Sequence, residues 1–332
     1  MPSPATIAVL GSGSWATALI KIISEKDCSI RWWVRNEESV QQIKKTQRNP
    51  RYLTDVHLDL SKINAFSNIE TCLQDADLVI IAIPSAFVMS SLQSIDKAVF
   101  KDKKIFSAVK GIVPEHNLIM ADYLNSQLDI PYDRIGVITG PCHAEEVALE
   151  KLSYLTVACQ HTGHAAEMSY LLTCRYIKTS ISDDIFGTEY SAVMKNIMAL
   201  ASGIFHGLGY GDNFQAVLIS NAIQEIKRFI DAVHPIERDI KDSAYLGDLL
   251  VTAYSQFSRN RMFGTMIGKG YSVKSAMMEM NMIAEGYYAS KCIQQVNDSY
   301  KVHLPICSAV YRVLYERMSP SVEMRLLADQ LS

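Results

Sequence analysis

"TIAVLGSGSWATAL" (residues 6–19) decides how the chain folds. Its first five residues are apolar or β-branched and end at a glycine, the mark of a short buried strand. Gly11-x-Gly13-x-x-Ala16 follows, and the residues after it read as a helix. A glycine turn of this spacing is weak evidence alone. Between a strand and a helix it marks the phosphate turn of a dinucleotide-binding fold. Gly11 and Gly13 permit a tight turn and close backbone approach. The helix start then offers N–H groups and a positive dipole end to a pyrophosphate.

The pattern repeats downstream. "SIRWWV" (29–34), "DLVIIAI" (77–83), "KIFSAV" (104–109) and "RIGVIT" (134–139) read as further strands, with helical stretches between several of them. "LTVAC" (155–159) and "YIKTS" (176–180) extend one edge. Such alternation predicts a doubly wound (Rossmann) parallel sheet. From about Glu189 the chain reads as helices, with breaks near 207–213, 234–238, 268–272, 304–305 and 319–320. The expected organisation is α/β: a dinucleotide-binding domain over residues 1–188, then an all-helical substrate domain over 189–332.

Composition limits the function. The chain has 332 residues, 48% hydrophobic and 20% charged, with net charge −3. That length suits two domains with separate cores. Mild acidity gives no reason to expect nucleic acid. No apolar run approaches the roughly 20 residues of a membrane span, and "LVIIAIPSAFVM" is broken by Pro84. No Lys or Arg precedes the apolar run at the N-terminus, which reads poorly as a signal peptide. Seven cysteines form no CxxC pair, as expected of reduced thiols in the cytoplasm. His161 and His164 lack the context of a metal site, so no metal is expected.

"YSAVMKNIMALASGIF" (190–205) is a core-like run with one charge, Lys195. Most lysines mark a solvated helix edge. Here its helical neighbours are Ser191, Ala192, Ala199 and Ser202, small and uncharged. A buried charge needs a reason, and the expectation is a lysine with space in front of it. Lys110 ends a strand on the ligand edge of the sheet, and Gly140, Pro141 and Cys142 follow another. Asp248 lies among leucines. Ser258 is a candidate N-cap with Arg259, Asn260 and Arg261 in the first turn, a good anion site. Glu285 stands in "MIAEGYY". Arg35 follows the second strand, where an NAD-selective site usually carries Asp or Glu. Together these residues suggest a phosphate-bearing substrate beside a dinucleotide.

In "GSGSWATAL", "WWVRN", "NPRYL", "AIPS", "VKGI", "GPCHAEEV", "FGTEYSAVMKNIMALASGI", "GLGYGDN", "LGDLLVT", "SRNRMFG" and "AEGYY", over residues 11–288, the chain resembles the bacterial-type NAD(P)-dependent sn-glycerol-3-phosphate dehydrogenases. The resemblance implies reversible reduction of dihydroxyacetone phosphate by NADH or NADPH, without a metal, supplying glycerophospholipid synthesis. It implies Lys195 as catalytic acid/base and substrate contacts at Lys110, Gly140, Cys142, Lys195, Asp248, Ser258, Arg259 and Asn260. It implies cofactor contacts at Ser14, Trp15, Arg35, Lys110, Ala144, Arg259, Ile283 and Glu285. Two segments depart from the family pattern. Cys142 stands where a small hydroxyl residue is usual, and "DSAYLGD" replaces a glycine-rich run before Asp248. Two readings stay open beside it: a reductase of another small keto or hydroxy acid, and a non-enzymatic dinucleotide sensor. A homodimer is one assembly open to the chain.

Overall fold

The computed structural model describes residues 5–280 and 284–332. Contacts divide the chain into two compact units, Met1–Val109 with Met120–Ile185, and Lys110–Ile119 with Phe186–Ser332.

The first unit is built on eight strands: β1 Thr6–Leu10, β2 Ser29–Trp33, β3 Ile63–Phe66, β4 Leu78–Ile81, β5 Lys104–Ser107, β6 Ile135–Thr139, β7 Ser153–Cys159 and β8 Ile177–Ser182. Their order is β3-β2-β1-β4-β5-β6-β7-β8. Every neighbouring pair is parallel except β6–β7, which is antiparallel. The central strands are buried along their length because helices cover parallel sheets on both faces; β4 (LVII) and β6 (IGVIT) have no exposed residue. Those helices are α1 Ser14–Ile23, α2 Glu37–Thr46, α3 Ile69–Leu73, α4 Val88–Leu92, α5 Met120–Leu128, α6 Ala144–Ala148 and α7 Thr162–Leu172. The strand order reverses direction at β1–β4, the place where doubly wound sheets take their ligands.

The strand at 63–66 escapes the sequence reading. It is only four residues long, includes Asn64, and exposes alternate positions. The β6–β7 pair is where the described sheet departs from all-parallel order, and β8 then runs parallel to β7. Ser153 follows β6 through the short α6 alone.

The second unit is helical: α8 Ile185–Gly207, α9 Asp212–Val233, α10 Asp248–Tyr254, α11 Arg259–Gly268, α12 Val273–Glu279, α13 Glu285–Tyr300, α14 Pro305–Tyr315 and α15 Pro320–Ala328. A π-helical turn, Ser243–Gly247, leads into α10. The unit's central helix is α8, whose residues from Ile197 to Leu200 are fully buried. Among the described residues no helix is long and apolar enough to cross a membrane.

Candidate active site

Two groups of residues carry chemistry, one in each unit. In the sheet unit, β1 delivers the chain into the glycine turn. Gly11 has φ +131°, and a Cβ there would lie 2.4 Å from the Ala82 carbonyl oxygen at the end of β4. Only glycine satisfies both conditions. Gly13 is the N-cap of α1, its Cβ direction is open, and no side chain caps the helix. The turn is held from behind. Trp32 Nε1 donates to the Gly11 carbonyl at 2.6 Å. Asn49 Nδ2 donates to the Ser12 carbonyl at 3.0 Å and to Thr17 Oγ1 at 2.7 Å. The helix start is thereby fixed without its own N–H groups being covered by a capping side chain. These residues fit the phosphates of a dinucleotide.

Other expected cofactor residues stand in the same unit. Ser14 opens α1, and the half-buried Trp15 rests against the core cluster. Arg35 stands two residues after the end of β2, is exposed, and holds no ion pair among the described residues. Gly140 and Cys142 follow β6, and Ala144 opens α6; all three are buried.

In the helical unit, Lys195 is 3% exposed and Asp248 1%. Lys195 Nζ donates to Asp248 Oδ1, while Lys110 Nζ stands 3.6 Å from Asp248 Oδ2. The lysine therefore faces a carboxylate rather than the open space expected of it. Ser191, Ala192, Ala199 and Ser202 are all buried with it. Two ammonium groups share one carboxylate, leaving a net positive charge where anions or developing oxyanions gain most. Burial pushes the Lys195 ammonium down to about 7; Asp248 opposes the shift and the Lys110 charge adds to it. Thr252 Oγ1 donates to the Asp248 carbonyl at 2.6 Å, closing the first turn of α10.

The start of α11 lies in this unit too. Ser258 is buried and caps it, its Oγ accepting from Arg261 N at 3.3 Å. Arg259 is exposed in the first turn. Asn260 is buried, with Oδ1 accepting the Gly286 N–H at 2.8 Å and Nδ2 donating to Asn196 Oδ1 at 2.9 Å. Glu285 opens α13. Ile283 lies outside the described residues. Among the described residues no group of three or more His, Cys, Asp or Glu is arranged to hold a metal ion.

Sequence reasoning missed Asn49, Asn196 and Thr252. Asn196 was visible as the only other strongly polar side chain in the 190–205 run. Nothing local distinguishes Asn49 from any loop asparagine.

Residues 6–165 match the model of the NAD-dependent glycerol-3-phosphate dehydrogenase N-terminus, and residues 184–325 match that of its C-terminus. A Clostridium botulinum protein named glycerol-3-phosphate dehydrogenase (NAD(P)+) is 33% identical over 98% of this chain and 98% of its own. One of the same name from an Exiguobacterium species is 34% identical over 97% and 95%. The crystal structure of glycerol-3-phosphate dehydrogenase from Coxiella burnetii superposes with TM-score 0.91 at 26% identity, covering 98% of this chain and 99% of that one. The chain belongs to the NAD-dependent glycerol-3-phosphate dehydrogenase family.

Proposed function

We propose that this protein reduces dihydroxyacetone phosphate to sn-glycerol 3-phosphate with NADPH or NADH, reversibly. The observation that carries the proposal is the buried Lys195–Asp248–Lys110 cluster, in the same unit as an arginine-bearing helix start. The sheet unit binds the dinucleotide and the helical unit performs the acid–base chemistry. Gly11, Gly13, Ser14 and Trp15 hold the pyrophosphate end, Arg35 the adenosine ribose, and Ala144, Arg259, Lys110, Ile283 and Glu285 complete the cofactor contacts. When bound, the reduced nicotinamide supplies a hydride to the substrate carbonyl carbon.

The protein's own residues handle the oxygen. Lys195, with its pKa brought down to about 7, is an acid strong enough to give a proton to the nascent alkoxide at neutral pH. In the reverse direction the neutral amine removes that proton. Asp248 holds the Lys195 ammonium in place, and the Lys110 charge polarises the carbonyl. Ser258, Arg259 and Asn260 at the α11 start take the phosphate, and Gly140 and Cys142 are further substrate contacts. The setting is the cytoplasm, and the product feeds glycerophospholipid synthesis.

The test is cofactor oxidation followed by absorbance with dihydroxyacetone phosphate, unphosphorylated dihydroxyacetone and a small keto acid. Turnover confined to the phosphate ester supports the proposal; equal or better turnover of a keto acid replaces it. Arg259→Ala should raise KM for the phosphate ester at least tenfold, since a charge-assisted hydrogen bond contributes about 1.5–3 kcal/mol. Arg261→Ala, further along the same turn, should have much less effect; equal effects would mean that the phosphate feels only a diffuse field.

A further inference from the structure

Asn196 follows Lys195 in α8 and is 4% exposed. Its carboxamide is used at both ends. Nδ2 donates to the Lys110 carbonyl oxygen at 2.7 Å and to the Ala192 carbonyl of its own helix at 3.2 Å. Oδ1 accepts from Asn260 Nδ2 at 2.9 Å, and Asn260 Oδ1 accepts from the Gly286 N–H at 2.8 Å. The bonds run head to tail, each amide donating to the next, an arrangement in which neighbouring bonds polarise one another. They join four pieces of chain: the Lys110–Ile119 segment, α8, α11 and α13. Gly286 is drawn in so closely that a Cβ there would lie 2.6 Å from the Asn196 carbonyl oxygen.

What this relay holds matters more than how strongly. Lys195 and Asp248 are fixed by their helices. Lys110 is not, because it lies beyond the end of β5 in irregular backbone. An ammonium on a four-carbon stem is a point charge whose position its own side chain does not determine. The bond from Asn196 fixes the Lys110 main chain, so that Nζ stands beside Asp248. Through Asn260 the same carboxamide ties the start of α11 to this frame.

We propose that Asn196 is a positioning residue: it sets where Lys110 stands relative to Lys195 and Asp248, and it holds the α11 start in register with them. The inference rests on the reaction proposed above.

Three proteins test it, the wild type, Asn196→Asp and Asn196→Ala, each assayed with dihydroxyacetone phosphate and NADPH. Asn196→Asp is nearly isosteric and turns an acceptor towards the Lys110 carbonyl. Both variants should lose about tenfold to a hundredfold in kcat/KM, the scale of an ångström-level misplacement. NADPH Kd, read by fluorescence, should stay within about twofold, a tolerance of under 0.5 kcal/mol. In Asn196→Ala the pH limb belonging to Lys195 should move to higher pH, because the Lys110 charge that lowers it is no longer held close. A variant that is folded, by its melting transition, and keeps the wild-type kcat/KM and pH limb overturns the proposal. So does a loss of activity that disappears on cooling, which would mark a purely structural residue. If the wild type itself does not turn over the phosphate ester, the proposed function falls and takes this inference with it. If the wild type is active and the variants match it, only the positioning role fails.

Discussion

Lys195 carries a conflict between two forces, and its chemistry follows from which one wins. Removing an ammonium from water disfavours its charge, whereas Asp248 favours it. Burial is the larger effect and brings the group down to about 7. The linkage has a definite sign: between about pH 7 and 10.5 the unfolded chain keeps a proton at this residue that the folded protein releases. This contribution to stability therefore grows with pH across that window and is absent below it. For activity the consequence runs through protonation. Reduction needs the ammonium, so kcat/KM for dihydroxyacetone phosphate should fall above about pH 7, while oxidation of glycerol 3-phosphate should rise across the same interval. Paired pH profiles in the two directions check this; parallel profiles would remove Lys195 as the proton carrier. Lys195→Ala should lower kcat by about a hundredfold or more, the contribution of a general acid, while NADPH binding, measured directly, stays near the wild-type value.

Helices α8 and α11 bring backbone against backbone. A Cβ on Gly264 would lie 2.1 Å from the Leu200 carbonyl oxygen, and one on Gly203 would lie 2.1 Å from that of Arg261. Gly207 and Gly268 are as tightly placed, at 2.4 and 2.3 Å from the Thr265 and Ile204 carbonyl oxygens. Four glycines at i, i+4 spacing on two helices thus set the distance between the lysine helix and the helix that begins with Ser258, Arg259 and Asn260. Alanine is a better helix former than glycine by about 1 kcal/mol, so a purely local argument makes Gly264→Ala stabilising. The contact reverses that sign, because overpacking costs about 1–3 kcal/mol and the obstacle here is main chain, which has no rotamer to change. Gly264→Ala should lower Tm by several degrees, at roughly 2–4 °C per kcal/mol for a chain of this scale. It should also raise KM for the phosphate ester. Gly211→Ala, at a helix N-cap with open space around it, should move Tm far less. A second tie lies beside Gly203 on α8, where Ser202 Oγ reaches Gln215 Oε1 at 2.8 Å and the Ala253 carbonyl at 3.0 Å. It fastens α10, and with it Asp248, to the helix of Lys195.

Across the whole chain, what could be read in advance depends on how local the signal is. The strand, glycine turn and helix at 6–19 are contiguous, and β4 and β6 are nearly pure apolar runs, so periodicity finds them. Ser258 is a helix start identifiable from its neighbours. Asp248 is conspicuous among leucines, but its partner lies 53 residues away in sequence, and no local pattern pairs them. Asn196 escapes because an amide inside a helix looks neutral; its role lies in two partners from distant segments, Lys110 and Asn260. Lys110 reads as the end of a sheet strand, yet its segment groups with the helical unit. Arg35 is the opposite case, since its meaning comes from one position at the end of β2 and no distant partner is needed. An acidic residue there would bond the ribose hydroxyls of NAD and repel a 2′-phosphate. A guanidinium attracts that phosphate and can also stack on adenine. This arginine is exposed and holds no ion pair among the described residues. NADPH should then be used at least as well as NADH. Arg35→Asp should lower kcat/KM for NADPH tenfold or more, about 1.4 kcal/mol. NADH should change much less, losing only the stacking. The informative quantity is the ratio of the two cofactors, because stacking cancels in it and the 2′-phosphate does not. The shape of the pH profile should stay as in the wild type, since Lys195 and Asp248 belong to the other unit. A wild type that strongly prefers NADH, with the same ratio in Arg35→Asp, would show that this residue does not read the 2′-phosphate.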